Sequence, residues 1–250
     1  MKEDDRIRFF CAPLVFSGVF VFLKGVFPMS KQAENTRRLT VLAMLAAVAF
    51  ALAFFSHFLP AVGGNFLKYD PKPVIITVAG FLYGPVAAFS VSAVVALLEL
   101  FTVSDTGWIG LIMNILTTAG FACTASLFYA RHRRIGGAAI GLGAATLVTT
   151  ALMLLWNYLI TPLYMHIPRE AVAAMLPTVF LPFNLLQGIA NTALTLMLYR
   201  PLTGALRAAK LLPPSTGAPK SRKTTLLVTL GGGFLLVSAV LAVLLWNGVI

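Results

Sequence analysis

The sequence predicts an all-α membrane protein with a core of six transmembrane helices. Three observations predict it. Of 250 residues, 59% are hydrophobic and 11% charged, at a mean hydropathy of +0.90, a composition outside that of soluble globular domains. The apolar residues form runs near the ~20 residues that a helix needs to cross a bilayer, too long and too even for barrel strands, which alternate. Basic residues collect between alternate runs, as they do in cytoplasmic loops.

Taken in order, residues 1–36 form an N-terminal extension. Residues 9–28 are apolar and follow "MKEDDRIR". They read as an extra span, a signal-like segment, or an over-extended start ahead of Met29 in "MSKQAENTRR"; no small-residue cleavage site marks a cleaved signal. The membrane domain runs over residues 37–201. Its spans are expected at Leu39–Leu59, Val74–Tyr83 with its flanks, Val86–Val103, Trp108–Tyr129, Ala138–Tyr164 and Ala171–Tyr199. The second is short and follows a Pro-rich entry. The sixth carries Pro177 and Pro182, kinks that a membrane helix tolerates when neighbours satisfy the freed backbone groups. Residues 202–224, with "LLPPSTGAPKSRK", read as a cytoplasmic linker. Residues 225–250 hold a seventh span, Thr225–Trp246, weakened but not excluded by Gly231–Gly233.

Charge sets the orientation. Lys31, Arg37 and Arg38 precede the first span, and Arg131, Arg133 and Arg134 lie between the fourth and fifth. Arg200, Arg207, Lys210, Lys220, Arg222 and Lys223 follow the sixth. The opposite loops hold Lys68, Lys72 and Arg169. Both ends of the six-helix unit are therefore expected in the cytoplasm, with loops 60–73, 104–107 and 165–170 outside. The same bias accounts for the net charge of +11 and the pI near 10.1 without nucleic acid. Cys11 and Cys123 sit in apolar runs and read as small buried hydrophobes.

Polar groups inside spans are costly and face protein or a cavity. The candidates are Glu99, Asn114, Asn157, Asn184, Gln187 and Asn191. Asn184 and Gln187 share a helix face, and Asn191 lies near it. Asn157, in "LLWNYLITP", falls at a compatible depth. Each amide alone reads as an interhelical hydrogen bond, worth about 0.6–2 kcal/mol in membranes. Together, beside Trp156, Tyr158 and Phe183, they suggest an outward-opening pocket for a planar heteroaromatic ligand with an amide-like edge. Few carboxylates converge, and no metal-ligand spacing occurs. The loop "FLPAVGGNFLKYDPKP" is stiffened by Pro60, Pro71 and Pro73 and carries Phe66, Leu67 and Tyr69, as a lid over that pocket would; an ordinary re-entrant turn is the alternative.

Small residues recur every fourth position at Ala43, Ala47 and Ala51 and again at Ala88, Ser92 and Ala96. They allow close helix approach, either within the chain or against a partner membrane protein. No nucleophile elbow, zinc-protease motif or phosphate-cradling loop is present. His57, His132 and His166 are isolated. The chain is not expected to be an enzyme, and no cofactor is expected.

The stretches "FLKYDPKPVIITVAGFLYGP", "LLELFTVSDTGWIGLIMN", "LLWNYLITPLYMHIPREAVAAML" and "FLPFNLLQGIANTALTLMLY" together resemble the riboflavin-specific substrate-binding (S) components of energy-coupling-factor (ECF) transporters, over about residues 37–201. The resemblance implies a six-helix subunit that captures riboflavin, or a related flavin, from outside. It also implies a transmembrane coupling protein and two cytoplasmic ATPase subunits as partners. Asn157 matches the asparagine of the family's W-N-Y-L-I-T-P stretch, and Asn184 that of F-N-L-L-K. Asn157, Asn184 and Gln187 are then expected to bind the ligand, with Leu67 and Tyr69 packed over it and Asp70 organising the loop. Ala43, Ala47, Ala88, Ser92 and Ala96 are expected to meet the coupling protein. Two departures stand out: Gln187 replaces the family's lysine, and Pro73 replaces an aspartate of the first loop. They leave another heteroaromatic vitamin open, and a membrane scaffold remains the reading outside transport.

Overall fold

The computed structural model describes residues 31–58, 67–104, 106–212 and 230–241. The chain divides into two units, Met1–Thr40 and Val41–Ile250, and the helical bundle belongs to the second. The apolar run 9–28, Cys11 and most of the predicted linker lie outside the described residues.

The helices are α1 (Lys31–Ser56), α2 (Lys72–Tyr83), α3 (Pro85–Thr102), α4 (Gly107–Arg131), α5 (Ile135–Met165), α6 (Arg169–Met175) and α7 (Leu181–Ala208), with a π-helical stretch, Leu176–Phe180, between the last two. A further helix, α8, spans Leu230–Leu241. Among the described residues, five stretches are long and apolar enough to cross a membrane: Gln32–Ser56, Pro85–Thr102, Gly107–Arg131, Gly136–Met165 and Arg169–Ala208. The chain is thus an all-helical, multi-pass membrane protein.

Helix α2 is the exception in length. Its 12 residues rise about 18 Å, against a hydrocarbon core of about 30 Å. Every residue from Lys72 to Phe81 is buried, so protein rather than lipid surrounds it. A one-residue turn joins it to α3. Gly84 adopts φ +91°, where a side chain would be strained, and Pro85 opens α3 where its missing N–H costs nothing.

The core forms around this buried helix. Val41, Leu45 and Ala49 of α1 pack with Ile75, Ile76 and Ala79 of α2, and with Ala88, Val91 and Val95 of α3. At one end, Phe81, Tyr129 and Tyr199 stack with centroids 4.4–6.1 Å apart, and the two hydroxyls lie 3.3 Å from each other. Aromatic bulk closes that end of the bundle.

One expectation needs correction here. Ala88, Ser92 and Ala96 are fully buried, and the Ser92 hydroxyl hydrogen-bonds that of Thr118 on α4. A Cβ on Gly80 would stand 2.9 Å from that of Ala88. The small residues of α3 therefore let α2, α3 and α4 approach one another, and present nothing to a partner. Ala43 and Ala47 do remain exposed. The sixth predicted span also differs. Instead of one kinked helix it is α6, the π-helical stretch and α7, because Pro177 lacks the N–H that regular α-helix requires. Within the predicted seventh span, only α8 is described.

Candidate binding site

At the end opposite the tyrosines, the bundle encloses a cavity of about 310 Å³. Its walls come from the end of α1, the segment 67–71 and helices α2 to α5 and α7. Two walls differ in chemistry.

The charged wall centres on Lys72, whose ammonium is almost wholly buried. Its Nζ lies 2.9 Å from Asp70 Oδ2, and 2.8 and 2.7 Å from the two oxygens of Glu99. Asn114 Nδ2 donates to Glu99 Oε2 at 2.6 Å. Asp70 Oδ1 accepts the backbone N–H of Lys72 at 3.0 Å, fixing the first turn of α2. A buried charge without partners would be prohibitive. Here each ion has an opposite charge in direct contact.

The amide wall comes from α5 and α7. Asn157 is buried; its Nδ2 donates to Met153 O at 2.7 Å, and its Oδ1 accepts from Thr161 at 2.9 Å. Asn184 Nδ2 donates to Phe180 O at 2.8 Å, a bond back into the π-helical stretch. A primary amide offers two donors and a carbonyl with two lone pairs, so both asparagines keep capacity toward the cavity. Gln187 keeps more, since its side chain makes no hydrogen bond among the described residues. Phe183 and Met153 supply apolar surface.

A polar tie secures the segment before α2. Tyr69 donates its hydroxyl to Asn191 Oδ1 at 2.8 Å, and Asn191 Nδ2 donates to Asp70 O at 3.3 Å. Burial, and then the Asp70 carboxylate, hold the Tyr69 phenol well above its ordinary pKa. The phenol therefore stays a neutral donor. Lys68 Nζ donates to His57 O at 3.1 Å, linking the same segment to the end of α1.

Of the residues singled out in the sequence, Asn157, Asn184, Gln187, Leu67 and Asp70 line the cavity. Tyr69 does not; its ring hydroxyl turns to Asn191. Trp156 and Tyr158 do not line it either. Arg169 stands over the Tyr158 ring at 5.7 Å, and the buried Trp156 indole N–H has no partner among the described residues. One reading is corrected: Lys72, counted as a loop charge, is a buried helical residue, and the two carboxylates of Asp70 and Glu99 meet on it. Among the described residues no cluster suited to a metal ion occurs. The sequence had marked Glu99 and Asn114 as costly, without their shared partner.

A substrate-sized cavity with polar walls, inside a multi-pass helical bundle, defines a membrane subunit that holds a small solute. Residues 37–199 match the model of the ECF transporter substrate-specific component family. The chain belongs to that family, and is a transport component rather than an enzyme. It is 33% identical over 181 residues to the riboflavin transporter RibU of Staphylococcus aureus (strain TCH60), covering 70% of this chain and 94% of the relative. It is 29% identical over 183 residues to the riboflavin transporter RibU of Streptococcus thermophilus (69% of this chain, 85% of the relative). It is 27% identical over 174 residues to the riboflavin transporter FmnP of Bacillus subtilis (66% and 91%). A solved structure described as the S component of a bacterial ECF transporter superimposes with a TM-score of 0.58 at 32% identity, over 69% of this chain and 99% of that one.

Proposed function

We propose that this chain captures riboflavin at the outer face of the plasma membrane, as the substrate-binding subunit of an ECF importer. The observation that carries the reading is the cavity itself. Its volume falls at the lower end of the ~300–1,000 Å³ usual for ligand pockets, and Asn157, Asn184 and Gln187 converge on it with unused hydrogen-bonding capacity. Amides of this kind suit the alternating donors and acceptors along the edge of an isoalloxazine ring. Phe183 and Met153 suit its faces. Leu67 closes the mouth, and Asp70 orders the segment that bears it. The relatives named as riboflavin transporters support the ligand class.

In this reading the short, buried α2 is the second of six core helices. Both ends of the core, residues 37–201, face the cytoplasm, where the basic loops lie. A transmembrane coupling protein and two cytoplasmic ATPase subunits complete the importer. The exposed Ala43 and Ala47 offer that coupling protein a close approach to α1. Residues 202–224 are the linker from the core to the segment 225–250, in which α8 lies.

The test is the visible spectrum of the purified protein. Flavin bands released on denaturation are the expected result. A colourless preparation that also fails to quench riboflavin fluorescence would sink the ligand assignment.

A further inference from the structure

The family match ends at residue 199, and α8 lies beyond it. This helix has one buried edge. Gly232 and Ala239, seven residues apart, are buried, whereas Leu230, Phe234, Val237 and Leu241 are exposed. The buried edge meets α7. A Cβ placed on Gly232 would stand 2.7 Å from Met197 Cγ and 3.2 Å from the carbonyl oxygen of Ala193. The same test at Gly231 and Gly233 meets nothing within 4 Å. The contact thus depends on one glycine, and it lets two backbones approach as small residues do between membrane helices. Ala193, beneath it, is fully buried.

Ala193 lies two residues from Asn191. At about 100° per residue the two face opposite sides of α7. On one side α8 bears on Ala193. On the other, Asn191 accepts the Tyr69 hydroxyl and holds the Asp70 carbonyl. Asp70 in turn meets Lys72, and Lys72 meets Glu99, on the cavity wall.

We propose that α8 is a built-in brace on α7. It holds Asn191 where it clamps segment 67–70 at the cavity, and so slows release of the ligand. For the identity of that ligand, the proposal rests on the riboflavin reading above.

The test uses the full chain in detergent and follows riboflavin release by the recovery of its fluorescence. Gly232→Leu drives a side chain into Met197 and Ala193. Gly231→Leu, one position away, points into open space and is the control. Gly232→Leu is expected to speed release about fivefold, the size of one lost neutral hydrogen bond, with Gly231→Leu at the wild-type rate. Tyr69→Phe is expected to act similarly, and the double variant Gly232→Leu/Tyr69→Phe to release no faster than Tyr69→Phe alone, since both act through one link. Equal rates for the two leucine variants, or a double variant whose effects multiply, overturn the brace. Should Gly232→Leu not fold, Gly232→Ala against Gly231→Ala carries the same comparison with one added carbon. If the wild type binds no riboflavin, the ligand reading has failed by itself. The brace is then read from thermal unfolding: a lower midpoint for Gly232→Leu than for Gly231→Leu supports it, and equal midpoints overturn it.

Discussion

The two polar walls of the cavity both carry a cost of burial, far larger for the ions, and meet it differently. On the charged wall Lys72, Asp70, Glu99 and Asn114 satisfy one another, through contacts of 2.6–2.9 Å. On the amide wall, Asn157 bonds to a carbonyl of its own helix and to Thr161, Asn184 to a carbonyl of the π-helical stretch before it, and Gln187 to none of the described residues. A group whose valences are filled by the protein holds the protein together. A group left partly unfilled, in a cavity, is available to a ligand. The comparison teaches that charge at a pocket is not the same as recognition by that pocket. Here the ions build the frame and the neutral amides face the cavity.

The largest expected effect breaks the charged wall. Lys72→Met leaves the buried Glu99 carboxylate, and the partly exposed Asp70, without their cation, and should destabilise the protein by about 3–5 kcal/mol. Denaturation in detergent measures it, and adding Glu99→Gln should recover part of the loss. If Lys72→Met abolished flavin binding at unchanged stability, the division between frame and recognition would be wrong. Next come Asn157→Ala and Asn184→Ala. Each should weaken riboflavin binding by about three- to tenfold, one hydrogen bond's worth, read by fluorescence quenching. Asn157→Ala should also lower stability slightly, since its amide ties Met153 to Thr161. Gln187→Ala should weaken binding about fivefold and leave unfolding unchanged, because no protein bond is lost. A shifted unfolding midpoint for Gln187→Ala would place it with the frame instead.

The smallest effect concerns pH. The folded Tyr69 phenol has its pKa raised above the ordinary value of about 10. Its contribution to stability is therefore complete below that ordinary value, and is lost as pH rises toward the higher folded one. Tyr69→Phe should remove this alkaline decline. Unfolding midpoints of both proteins across the alkaline range would show it.

Much of the architecture was legible in the sequence, because a bilayer imposes a length that apolar runs must match. The amides were legible as a set: each alone reads as an interhelical hydrogen bond, but several at one depth in such runs point to a shared pocket. The charged wall was not. Lys72 sits beside Pro71 and Pro73 in a segment that reads as loop, and its partner Glu99 lies 27 positions away. No local pattern encodes that pairing. The small residues of α3 failed for another reason. Four-residue spacing records that another backbone comes close, and is silent on whether that backbone belongs to the same chain. Ala88, Ser92 and Ala96 face inward, while Ala43 and Ala47 face outward, on the same pattern.

The π-helical stretch at Leu176–Phe180 sets the angular phase of everything after it. A π turn takes up a residue more than an α turn. Were the stretch to rewind as regular α-helix with no residue removed, α7 would turn by about 100° against its neighbours; removing the one extra residue as it reverted would keep the phase. In the first case Asn184 and Gln187 would swing off the cavity and Asn191 away from Tyr69, with no change to any of their identities. The π turn is thus a phase setting: a substitution that let it relax to regular helix at full length would rotate the site and leave its side chains in place but misdirected, whereas deletion of the one extra residue would not.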